Sequence, residues 1–369
     1  MFQKRIDKLK QTIKEKNLDG LLVSNFYNIL YLTGFKTLTE NEREAFCLVT
    51  NNNTYLMTDK RYIDTKIKNQ NSKIKINLTT PKKKLIQHIQ EITKDEKIRR
   101  LGIEEENLRV GEFNLLKEKL QRVELISTNQ LIIRLREIKE VEEIKKIKKA
   151  CEISDQCLKE IIKTISIGQT EKEIAWKIGR WLKEKCYDTA FDPIVAIDKN
   201  SSIPHYLTKE GTACVRRGSI ILIDFGVKHK DYCSDITRMI FMSRPKQEII
   251  NTYNKLLSIQ KKTINRLNAI KFLKEIDADC RLQIIDNRLP LYPHSTGHGI
   301  CLEVHEYPKV SINSQDQLEA NQVFTIEPGI YFQGKWGLRI EDTVYVNNNH
   351  EIEILTKFPK MINYKSTNE

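Results

Sequence analysis

Residues 219–227 read Ser-Ile-Ile-Leu-Ile-Asp-Phe-Gly-Val, and residues 231–241 read Asp-Tyr-Cys-Ser-Asp-Ile-Thr-Arg-Met-Ile-Phe. Both stretches are rich in β-forming residues, and each holds an acid, Asp224 or Asp235, where a buried strand predicts an apolar side chain. A turn at 228–230 would join them into a hairpin. If the hairpin is symmetric about the 229/230 junction, the two acids face each other with Cβ atoms about 4.5–5.5 Å apart.

A second pair of strands repeats this arrangement nearer the carboxyl end. Residues 322–329, Gln-Val-Phe-Thr-Ile-Glu-Pro-Gly, hold Glu327, and residues 337–346, Gly-Leu-Arg-Ile-Glu-Asp-Thr-Val-Tyr-Val, hold Glu341. The midpoint between these two acids is Gly334, which lies in a glycine-containing connection. A hairpin at this position would therefore also bring its two acids together.

Four acids on two apolar hairpins need a positive partner, because ionised carboxylates this close repel each other and lose hydration. One alternative is structural, since Arg238 and Arg339 lie close in sequence to Asp235 and Glu341 and could form salt bridges. The number of acids, together with the glycine-flanked His298, favours divalent cations instead. Four carboxylates and one imidazole suit a pair of Mn²⁺, Co²⁺, Fe²⁺ or Zn²⁺ ions better than a structural zinc site.

The chain has 369 residues, more than one compact core usually organises, so two domains are expected. Alternating helical and strand patterns predict an α/β domain over 1–130. A second domain over 138–369 follows a boundary near 128–140, and the overall class is α/β (α+β). The predicted strands of the first domain are 21–23, 45–50, 54–59, 73–77, 101–104 and 123–127. Helices of the second domain are predicted after 136, after a capping box at Thr170 and Glu173, near 246–268 and near 271–284.

The composition indicates a soluble, cytoplasmic protein. No run of 18 apolar residues is present, and the amino terminus lacks the apolar core of a signal peptide. The eight cysteines are scattered without a CxxC pair and are predicted to be reduced. The net charge of +13 comes largely from lysines in helical stretches where acids precede bases, as in 142–149. Neither nucleic acid nor a membrane is therefore an expected partner.

Eight segments of the second half together resemble the pita-bread metallopeptidases, a family that includes Xaa-Pro aminopeptidase, prolidase, methionine aminopeptidase and the metal-free creatinase. The segments are Ala-Phe-Asp-Pro-Ile-Val-Ala at 190–196, Ile-Pro-His-Tyr at 203–206, Ile-Leu-Ile-Asp-Phe-Gly at 221–226, Ser-Asp-Ile-Thr-Arg at 234–238, Ser-Thr-Gly-His-Gly-Ile at 295–300, Leu-Glu-Val-His-Glu at 302–306, Thr-Ile-Glu-Pro-Gly at 325–329 and Gly-Leu-Arg-Ile-Glu-Asp at 337–342. In the first half, residues 5–9 and 28–35 resemble the family's amino-terminal domain. The resemblance covers essentially the whole chain and favours the proline-specific branch.

This resemblance implies an amino-terminal creatinase/prolidase-like α/β domain, followed by a pita-bread catalytic domain with a curved antiparallel sheet flanked by helices. It implies a metallo-exopeptidase that hydrolyses the bond between an amino-terminal residue and proline, with a hydroxide that bridges two metal ions. Mn²⁺ is the first expectation for those ions, with Co²⁺, Fe²⁺ and Zn²⁺ as alternatives. The resemblance also implies a peptide or dipeptide substrate with proline in second position, and a homodimer.

The family's site residues can be carried over by position. The five metal ligands fall on Asp224, Asp235, His298, Glu327 and Glu341. Glu327 is also expected to take the proton from the attacking water. His305 is expected to stabilise the developing oxyanion, and His294 and His205 to position the substrate and help move protons. Arg339 is expected to hold the Glu341 carboxylate rather than meet a charge on the substrate.

Other residues near these motifs have supporting or structural interpretations. Glu303 and Glu306 are predicted to be supporting acids, and three histidines are predicted to lie at the surface: His88, His229 and His350. The chain departs from the family pattern at Cys301, where glycine is common. It also departs at 198–199, Asp-Lys, where the family often has a small serine or glycine after the Phe-Asp-Pro-Ile-Val stretch. Both departures predict added bulk near the cleft.

Two other functions stay open. A methionine aminopeptidase-like enzyme would share the fold, although such enzymes generally lack the amino-terminal domain. A non-catalytic binding protein would keep the fold and use its basic charge toward an acidic partner. Within the proline-specific branch, a dipeptidase and an aminopeptidase for longer peptides are not separated by the sequence.

Overall fold

The computed structural model describes residues 1–62 and 73–360. The chain divides by its internal contacts into two compact units, Met1–Arg136 and Glu137–Glu369. Among the described residues, no helix is both long and apolar enough to cross a membrane. Each unit has its own sheets and its own buried core.

The first unit is built on a six-stranded sheet in the order β4-β3-β2-β1-β5-β6. Its strands are β1 (Gly20–Val23), β2 (Ala45–Thr50), β3 (Thr54–Asp59), β4 (Ile74–Thr79), β5 (Arg100–Ile103) and β6 (Glu124–Ser127). Strands β1, β2 and β3 are antiparallel neighbours, whereas β4, β5 and β6 each join the sheet in parallel. All six lie within two residues of the predicted strands, and the predicted α/β class is confirmed.

The helices of this unit pack on the sheet through their apolar sides. They are α1 (Phe2–Glu15), α2 (Phe26–Thr33), α3 (Leu85–Asp95), α4 (Val110–Lys119) and, reaching one residue past the unit, α5 (Leu131–Glu137). Ile92 of α3 and Leu116 of α4 belong to one buried cluster with Leu22 and Leu48 of the sheet. The sequence did not predict α2 or α5. The last six residues of α2 are all buried, so α2 lacks the polar side that produces a helical period.

The prediction that His88 lies at the surface is wrong. The residue is 4% exposed, and its Nε2 lies 3.0 Å from the carbonyl oxygen of Leu78. It lies on the buried side of α3 beside Ile89 and Ile92. His88 is therefore a hydrogen-bonded core residue of the first unit, while His350 is exposed and His229 is half-buried.

The helices of the second unit confirm most of the predicted helical pattern. They are α6 (Val141–Thr164), α7 (Glu171–Glu184), α8 (Gln247–Arg266) and α9 (Leu273–Asp286). At the start of α7, Thr170 Oγ1 accepts from the Glu173 backbone N–H at 3.2 Å, and the Glu173 carboxylate accepts from the Thr170 N–H at 2.7 Å. This reciprocal pair is the predicted capping box.

The first acid-bearing hairpin has a different register from the predicted one. The strands in this region are β7 (Asp188–Thr189), β8 (Ile194–Ile197), β9 (Ile220–Phe225), β10 (Val227–His229), β11 (Tyr232–Cys233) and β12 (Ile236–Phe241). Asp224 pairs with Thr237, so the prediction that it faces Asp235 directly is wrong by two residues. The turn is centred on Lys230 and Asp231, which both have positive φ (49° and 72°), as in a type I′ turn. Asp235 is therefore a diagonal neighbour of Asp224 on the same face.

The second acid-bearing hairpin has the predicted register. The remaining strands are β13 (Gly297–Gly299), β14 (Glu306–Val310), β15 (Val323–Ile326), β16 (Gly329–Phe332), β17 (Trp336–Arg339), β18 (Asp342–Val346) and β19 (Ile352–Ile354). Strand β15 pairs with β18, and β16 pairs with β17, in one continuous register about Gly334, whose φ is 71°. The predicted midpoint is confirmed. Glu327 and Glu341 lie opposite each other in the gap between the two ladder segments.

Strand β9 shows why an acid can stand in the middle of this core. Ile221 and Ile223 belong to the buried cluster that includes residues of α6 and α7, whereas Ile220 and Leu222 belong to the cluster that includes residues of α8 and α9. Because side chains alternate along a strand, Asp224 follows Ile220 and Leu222 on the second side. The two helical pairs thus cover a sheet that presents Asp224 among apolar side chains.

Candidate metal centre

Three side chains of the second unit bring possible ligand atoms within 4.8 Å of one another: Asp235, His298 and Glu341. Asp235 directly precedes β12, His298 is the middle residue of β13, and Glu341 lies between β17 and β18. Strand pairing, rather than proximity in sequence, therefore assembles the group. No second group of this kind occurs within residues 1–62 and 73–360.

The imidazole of His298 points into the acid cluster. Its Nε2 lies 3.4 Å from Oε1 of Glu327 and 3.6 Å from Oδ2 of Asp235. Its Nδ1 lies 3.2 Å from the carbonyl oxygen of Gly299, which favours a proton on Nδ1 and a lone pair on Nε2. Burial lowers the pKa of His298. The ring is therefore suited to ligate a cation through Nε2.

The glycines on either side of His298 let neighbouring strands approach it closely. A Cβ atom at Gly297 would lie 1.8 Å from the carbonyl oxygen of Thr325, and one at Gly299 would lie 2.1 Å from that of Tyr307. Both distances are far inside van der Waals contact. Thr325 Oγ1 also accepts from the backbone N–H of His298 at 3.1 Å, which fixes the middle of β13.

Asp224 is anchored by Arg339, whose Nη2 lies 2.5 Å from Oδ2 of Asp224. The prediction that Arg339 holds the Glu341 carboxylate is therefore wrong. Arg339 reaches Glu341 only through Thr237, because its Nε donates to the Thr237 hydroxyl at 3.1 Å and that hydroxyl donates to Oε2 of Glu341 at 2.7 Å. Arg339 Nη1 also donates to the Tyr331 hydroxyl at 3.0 Å.

The salt-bridge alternative accounts for only one acid of the four. Arg238 pairs with Asp342, at 2.7 Å between Nη2 and Oδ1, and not with Asp235. Within the described part of the chain, three of the acids form no ion pair with a lysine or arginine: Asp235, Glu327 and Glu341. Those acids need another source of positive charge.

Buried carboxylate oxygens in the cluster have unmet hydrogen-bonding capacity. Oδ1 of Asp224, Oδ1 of Asp235 and Oε1 of Glu341 are buried and have no hydrogen-bond partner among the described residues. An unsatisfied buried carboxylate oxygen is costly, and a divalent cation is the partner that hard oxygen donors prefer. The donor set at this centre therefore fits divalent metal ions.

The pKa values of the acids report the same excess of negative charge. Burial raises the pKa of Asp235, and the neighbouring Glu341 and Asp224 raise it further. Burial, with repulsion from Glu327 and Asp224, likewise raises the pKa of Glu341. Burial raises the pKa of Glu327 to about 7. Without a cation, these carboxyl groups do not all ionise at neutral pH.

The three other predicted histidines differ in how closely they join the centre. The His305 ring meets His298 edge to face at 4.4 Å between ring centres. The Nε2 of His294 lies 3.0 Å from the Tyr331 hydroxyl, and burial lowers the pKa of His294 to about 4. His205 is exposed, and its side chain forms no hydrogen bond with a described residue. The structure thus brings His305 and His294 to the cluster. His205 is exposed, but it lies near both rings, since it adds to burial in lowering the pKa of His294 and of His305.

Two polar residues of the centre have no individual role among the sequence-based predictions. Thr237 links Arg339 to Glu341, and the Tyr331 hydroxyl links Arg339 to His294. The alternation of side chains along a β-strand could have indicated both residues. Thr237 lies two residues beyond Asp235, and Tyr331 lies four beyond Glu327, so each can share a strand face with an acid. Only the observed pairing of the strands shows which partner each one meets.

The two departures from the family pattern make contacts of their own. Cys301 is fully buried, with its Sγ 3.7 Å from Oε1 of Glu143 on α6. Asp198, at φ 52°, accepts from the Ser219 hydroxyl at 3.0 Å and from the Ile220 N–H at 2.9 Å. Asp198 therefore ties its loop to the start of β9. The predicted supporting acid Glu306 is buried and accepts from the backbone N–H of Glu303 at 2.8 Å.

Comparison with known proteins places this geometry in a family. Residues 5–138 match the creatinase/prolidase N-terminal domain, and residues 145–348 match metallopeptidase family M24. The chain is 32% identical to an Xaa-Pro dipeptidase of Pyrococcus furiosus, over 94% of this chain and 96% of that protein. It is also similar to the structure of an Xaa-Pro dipeptidase from Bacillus anthracis, with a TM-score of 0.89, 30% identity and coverage of 98% and 99%. An X-Pro aminopeptidase structure from Thermotoga maritima has a TM-score of 0.84 at 31% identity, covering 94% of this chain and 97% of that one.

The fold and the acid-rich centre together define a two-domain metallohydrolase with the pita-bread architecture. The chain belongs to metallopeptidase family M24. The predicted resemblance to the Xaa-Pro peptidase branch is confirmed, and so is the prediction of a peptidase hydrolase. Membership of this family implies divalent metal ions, which agrees with the donor set that the strands assemble.

Proposed function

We propose that this protein hydrolyses the bond between an amino-terminal residue and a proline in second position. Relatives and similar structures named Xaa-Pro dipeptidase, prolidase or X-Pro aminopeptidase support this substrate class. A bond to proline is a tertiary amide without an N–H, so a peptidase that grips that N–H cannot use it. The observation that carries the proposal is the convergence of Asp235, His298 and Glu341 on one buried point.

The proposed centre holds two divalent ions through five residues: Asp224, Asp235, His298, Glu327 and Glu341. Four carboxylates carry four negative charges, which balance the charge of two divalent cations. The unpartnered oxygens of Asp224, Asp235 and Glu341 supply ligand atoms that have no other use in the described structure. Bound metal ions of this kind acidify water and polarise a substrate carbonyl. Mn²⁺ is the first choice, and Co²⁺, Fe²⁺ and Zn²⁺ are the alternatives.

Glu327 is proposed to accept the proton from the attacking water as well as to bind metal. Its pKa, raised by burial to about 7, lies near neutral pH, where a general base works best. Thr325 Oγ1 lies 3.3 Å from Oε1 of Glu327 and orients the carboxylate. The half-buried position of Glu327, with 15% of its side chain exposed, leaves it accessible to water.

The histidines are proposed to act on the substrate. His305 is exposed beside His298, so it can donate to the oxygen on which negative charge develops. His294 is held by the Tyr331 hydroxyl and by the carbonyl oxygen of Ser295, 2.8 Å from its Nδ1, and positions the substrate. His205, which is exposed at the surface, is proposed to make a weaker contact with the substrate.

Arg339 is proposed to act through Asp224 and Thr237 rather than by touching the substrate. Its guanidinium donates to protein groups, and the residue is only 3% exposed. Its role is then to hold the Asp224 carboxylate and, through Thr237, that of Glu341. Its Nη1 also donates to the carbonyl oxygen of Pro204 at 3.1 Å, so Arg339 binds four groups. A buried arginine held in this way positions metal ligands.

Hydrolysis of matched peptides tests the proposed function. Purified protein treated with a chelator and then reloaded with Mn²⁺ or Co²⁺ should hydrolyse an Xaa-Pro dipeptide or an Xaa-Pro-Xaa tripeptide. The ratio of the two rates distinguishes a dipeptidase from an aminopeptidase for longer peptides. Met-Ala-Ser is the control for methionine aminopeptidase activity. A folded, metal-replete protein that is inactive on both proline peptides would contradict the proposal.

Three further parts complete the proposal, and of these the homodimer rests on the family resemblance alone. We keep 1–130 and 138–369 as the limits of the amino-terminal and catalytic domains. A homodimer and a cytoplasmic location are also proposed. Light scattering on the purified protein tests the homodimer, because a monomeric mass at working concentration would contradict it.

A further inference from the structure

The last described residues of the chain, 355–360, form a segment that we call the carboxyl-terminal strap. At its start, the Leu355 N–H donates to the carbonyl oxygen of Thr343 at 2.9 Å. The backbone N–H groups of Lys357 and Phe358 then donate to the Asp155 carboxylate on α6, at 2.7 and 2.9 Å. The strap is therefore tied both to β18 and to a helix of the second unit.

Asp342 is the residue on which the strap converges. It has no exposed surface, yet its carboxylate accepts from four side chains, two of which belong to the strap. Those four are Arg238 at 2.7 Å, Gln260 at 2.7 Å, Thr356 at 2.9 Å and Lys360. A buried carboxylate is stable only when its lone pairs are satisfied, so this set defines one orientation for Asp342.

Lys360 is held in place for this contact. The carbonyl oxygen of Lys360 accepts from the Tyr253 hydroxyl at 2.8 Å, and its Nζ also donates to Oε1 of Gln260 at 3.2 Å. Only 15% of its side chain is exposed. The ammonium group therefore points into the interior. It is the second positive charge at Asp342, beside that of Arg238.

The same network reaches the strands that carry the proposed metal ligands. Arg238 donates to the carbonyl oxygen of Glu341, and to that of Thr237 at 3.0 Å. Its Nε donates to the carbonyl oxygen of Phe358 in the strap at 3.0 Å. Asp342 directly follows Glu341 along the chain. One buried cluster thus joins the strap, the Glu341 backbone and strand β12, which begins beside Asp235.

We propose that Lys360 is a positioning residue of the metal centre. Lys360 binds Asp342 and so holds the strap against Arg238. Arg238 then fixes the backbone at Glu341 and at Thr237. The Thr237 hydroxyl in turn orients the Glu341 carboxylate. The inference rests on the proposed metal-binding role of Glu341. Loss of the Lys360 ammonium leaves one oxygen of Asp342 with Gln260 alone. Asp342 and the neighbouring carbonyl group of Glu341 are then held less firmly.

Metal affinity measured apart from activity tests this role. Lys360→Met keeps the length of the side chain and removes its charge, and it should raise the Mn²⁺ dissociation constant by about 10-fold or more, as for other residues that orient metal ligands. Lys360→Arg keeps the charge and should bind Mn²⁺ more tightly than Lys360→Met. Lys357→Met is the matched control, because the Lys357 side chain is exposed and should leave the dissociation constant unchanged. Circular dichroism and the melting temperature of each metal-free variant show whether it folds.

The outcomes separate this inference from the proposed function. If wild-type protein binds Mn²⁺ and folded Lys360→Met binds it as tightly, the role of Lys360 is overturned while the metal centre stands. If the wild-type protein binds none of Mn²⁺, Co²⁺, Fe²⁺ and Zn²⁺, the proposed function fails and the inference fails with it. Should Lys360→Met not fold, Thr356→Val decides, because it removes one hydrogen bond to Asp342 and should weaken Mn²⁺ binding in the same direction.

Discussion

Glu327 differs from the other acids of the centre because it is both a proposed ligand and a proposed base. It approaches Nε2 of His298 at 3.4 Å, and its side chain keeps 15% of its surface exposed, more than Asp235 at 6%. An acid in this position can bind a cation and still exchange protons with water. A change that keeps the shape of the side chain but removes its charge therefore tests whether turnover depends on Glu327.

Glu327→Gln keeps the size of the side chain and removes its basicity. We expect a folded protein whose kcat falls by about 10³-fold or more, because both the proton acceptor and one ligand charge are lost. Steady-state hydrolysis of an Xaa-Pro peptide measures the effect, and Glu248→Gln on the exposed side of α8 is the control. Substantial residual activity would remove Glu327 from the role of base.

His305→Ala separates transition-state stabilisation from binding. The ring lies against His298 but does not pack into the core, so its removal should leave the fold intact. We expect kcat to fall by about 10²-fold with a smaller change in KM, as for loss of an oxyanion donor. His229→Ala serves as the control. An unchanged kcat/KM would refute the oxyanion role.

The five proposed ligands can be found in the sequence, but their connections cannot. Acids in apolar strands are conspicuous because burial of a charge is costly, and this cost draws attention to Asp224, Asp235, Glu327 and Glu341. Asp342 lies in the same kind of strand, and only the structure shows that it is paired with Arg238. The partner of Arg339 is different, because arginine reaches in several directions from one backbone position. Whether it meets Glu341 or Asp224 depends on the register of two hairpins.

At the scale of elements, the two hairpins show what decides a register. Gly334, with a φ of 71°, marks the turn of the second hairpin, and the register predicted from it is confirmed. The first turn uses Lys230 and Asp231 at positive φ, which the sequence signals only through Asp231, because lysine is not typical of such a position and no glycine or asparagine is present at either one. The predicted register was therefore wrong by two residues, while both acids stayed on one face.

Strand β13 depends on the absence of a side chain at Gly297. Gly297→Ala would place a Cβ atom 1.8 Å from the carbonyl oxygen of Thr325, so β13 must move and take His298 with it. We expect the free energy of unfolding to fall by about 1–3 kcal/mol and Mn²⁺ binding to weaken. Denaturant unfolding and metal titration measure the two effects.

Gly179→Ala is the matched control for that substitution. Gly179 lies within α7, and a Cβ atom there meets nothing within 4 Å. We expect this variant to be more stable than the wild type by up to about 1 kcal/mol, because alanine favours the helix. If Gly297→Ala were equally harmless and bound metal normally, the close packing of β13 would not be what positions His298.

At the scale of the whole molecule, composition and periodicity were enough to predict an α/β protein, and the strands of the first unit lie within two residues of their predictions. Helix α2 was missed because it is short and buried on all sides, so it lacks the periodicity from which helices are recognised. The burial of His88 was missed because a lone histidine carries no sign of the carbonyl group that will bind it.

Buried acids make the stability of the metal-free protein depend on pH. Their pKa values are raised in the folded state, to about 7 for Glu327, so the folded protein holds protons that the unfolded chain releases. This contribution to stability is fully present below about pH 4, the unfolded pKa of such acids, and is lost as the pH rises through the raised pKa of each acid, which is about 7 for Glu327. We therefore expect the melting temperature in chelator to fall from about pH 5 to about pH 8.

Asp235→Asn tests whether the acids of the metal centre cause this pH dependence of stability. It removes one of the repelling charges, so its melting temperature in chelator should fall less steeply over the same range. Addition of Mn²⁺ to the wild type should restore stability most at the upper end of that range, because metal replaces the lost protons. Equal slopes for the wild type and Asp235→Asn would contradict the charge crowding at the centre.

The central claim is that two hairpins and β13 hold a pair of divalent ions. The protein is first stripped of metal with a chelator and then dialysed to equilibrium against Mn²⁺. Elemental analysis of the dialysed protein counts the bound ions directly. We expect two Mn²⁺ ions for each folded chain, and fewer after Asp235→Asn. A folded wild-type chain that retains none, or only one, would contradict the claim.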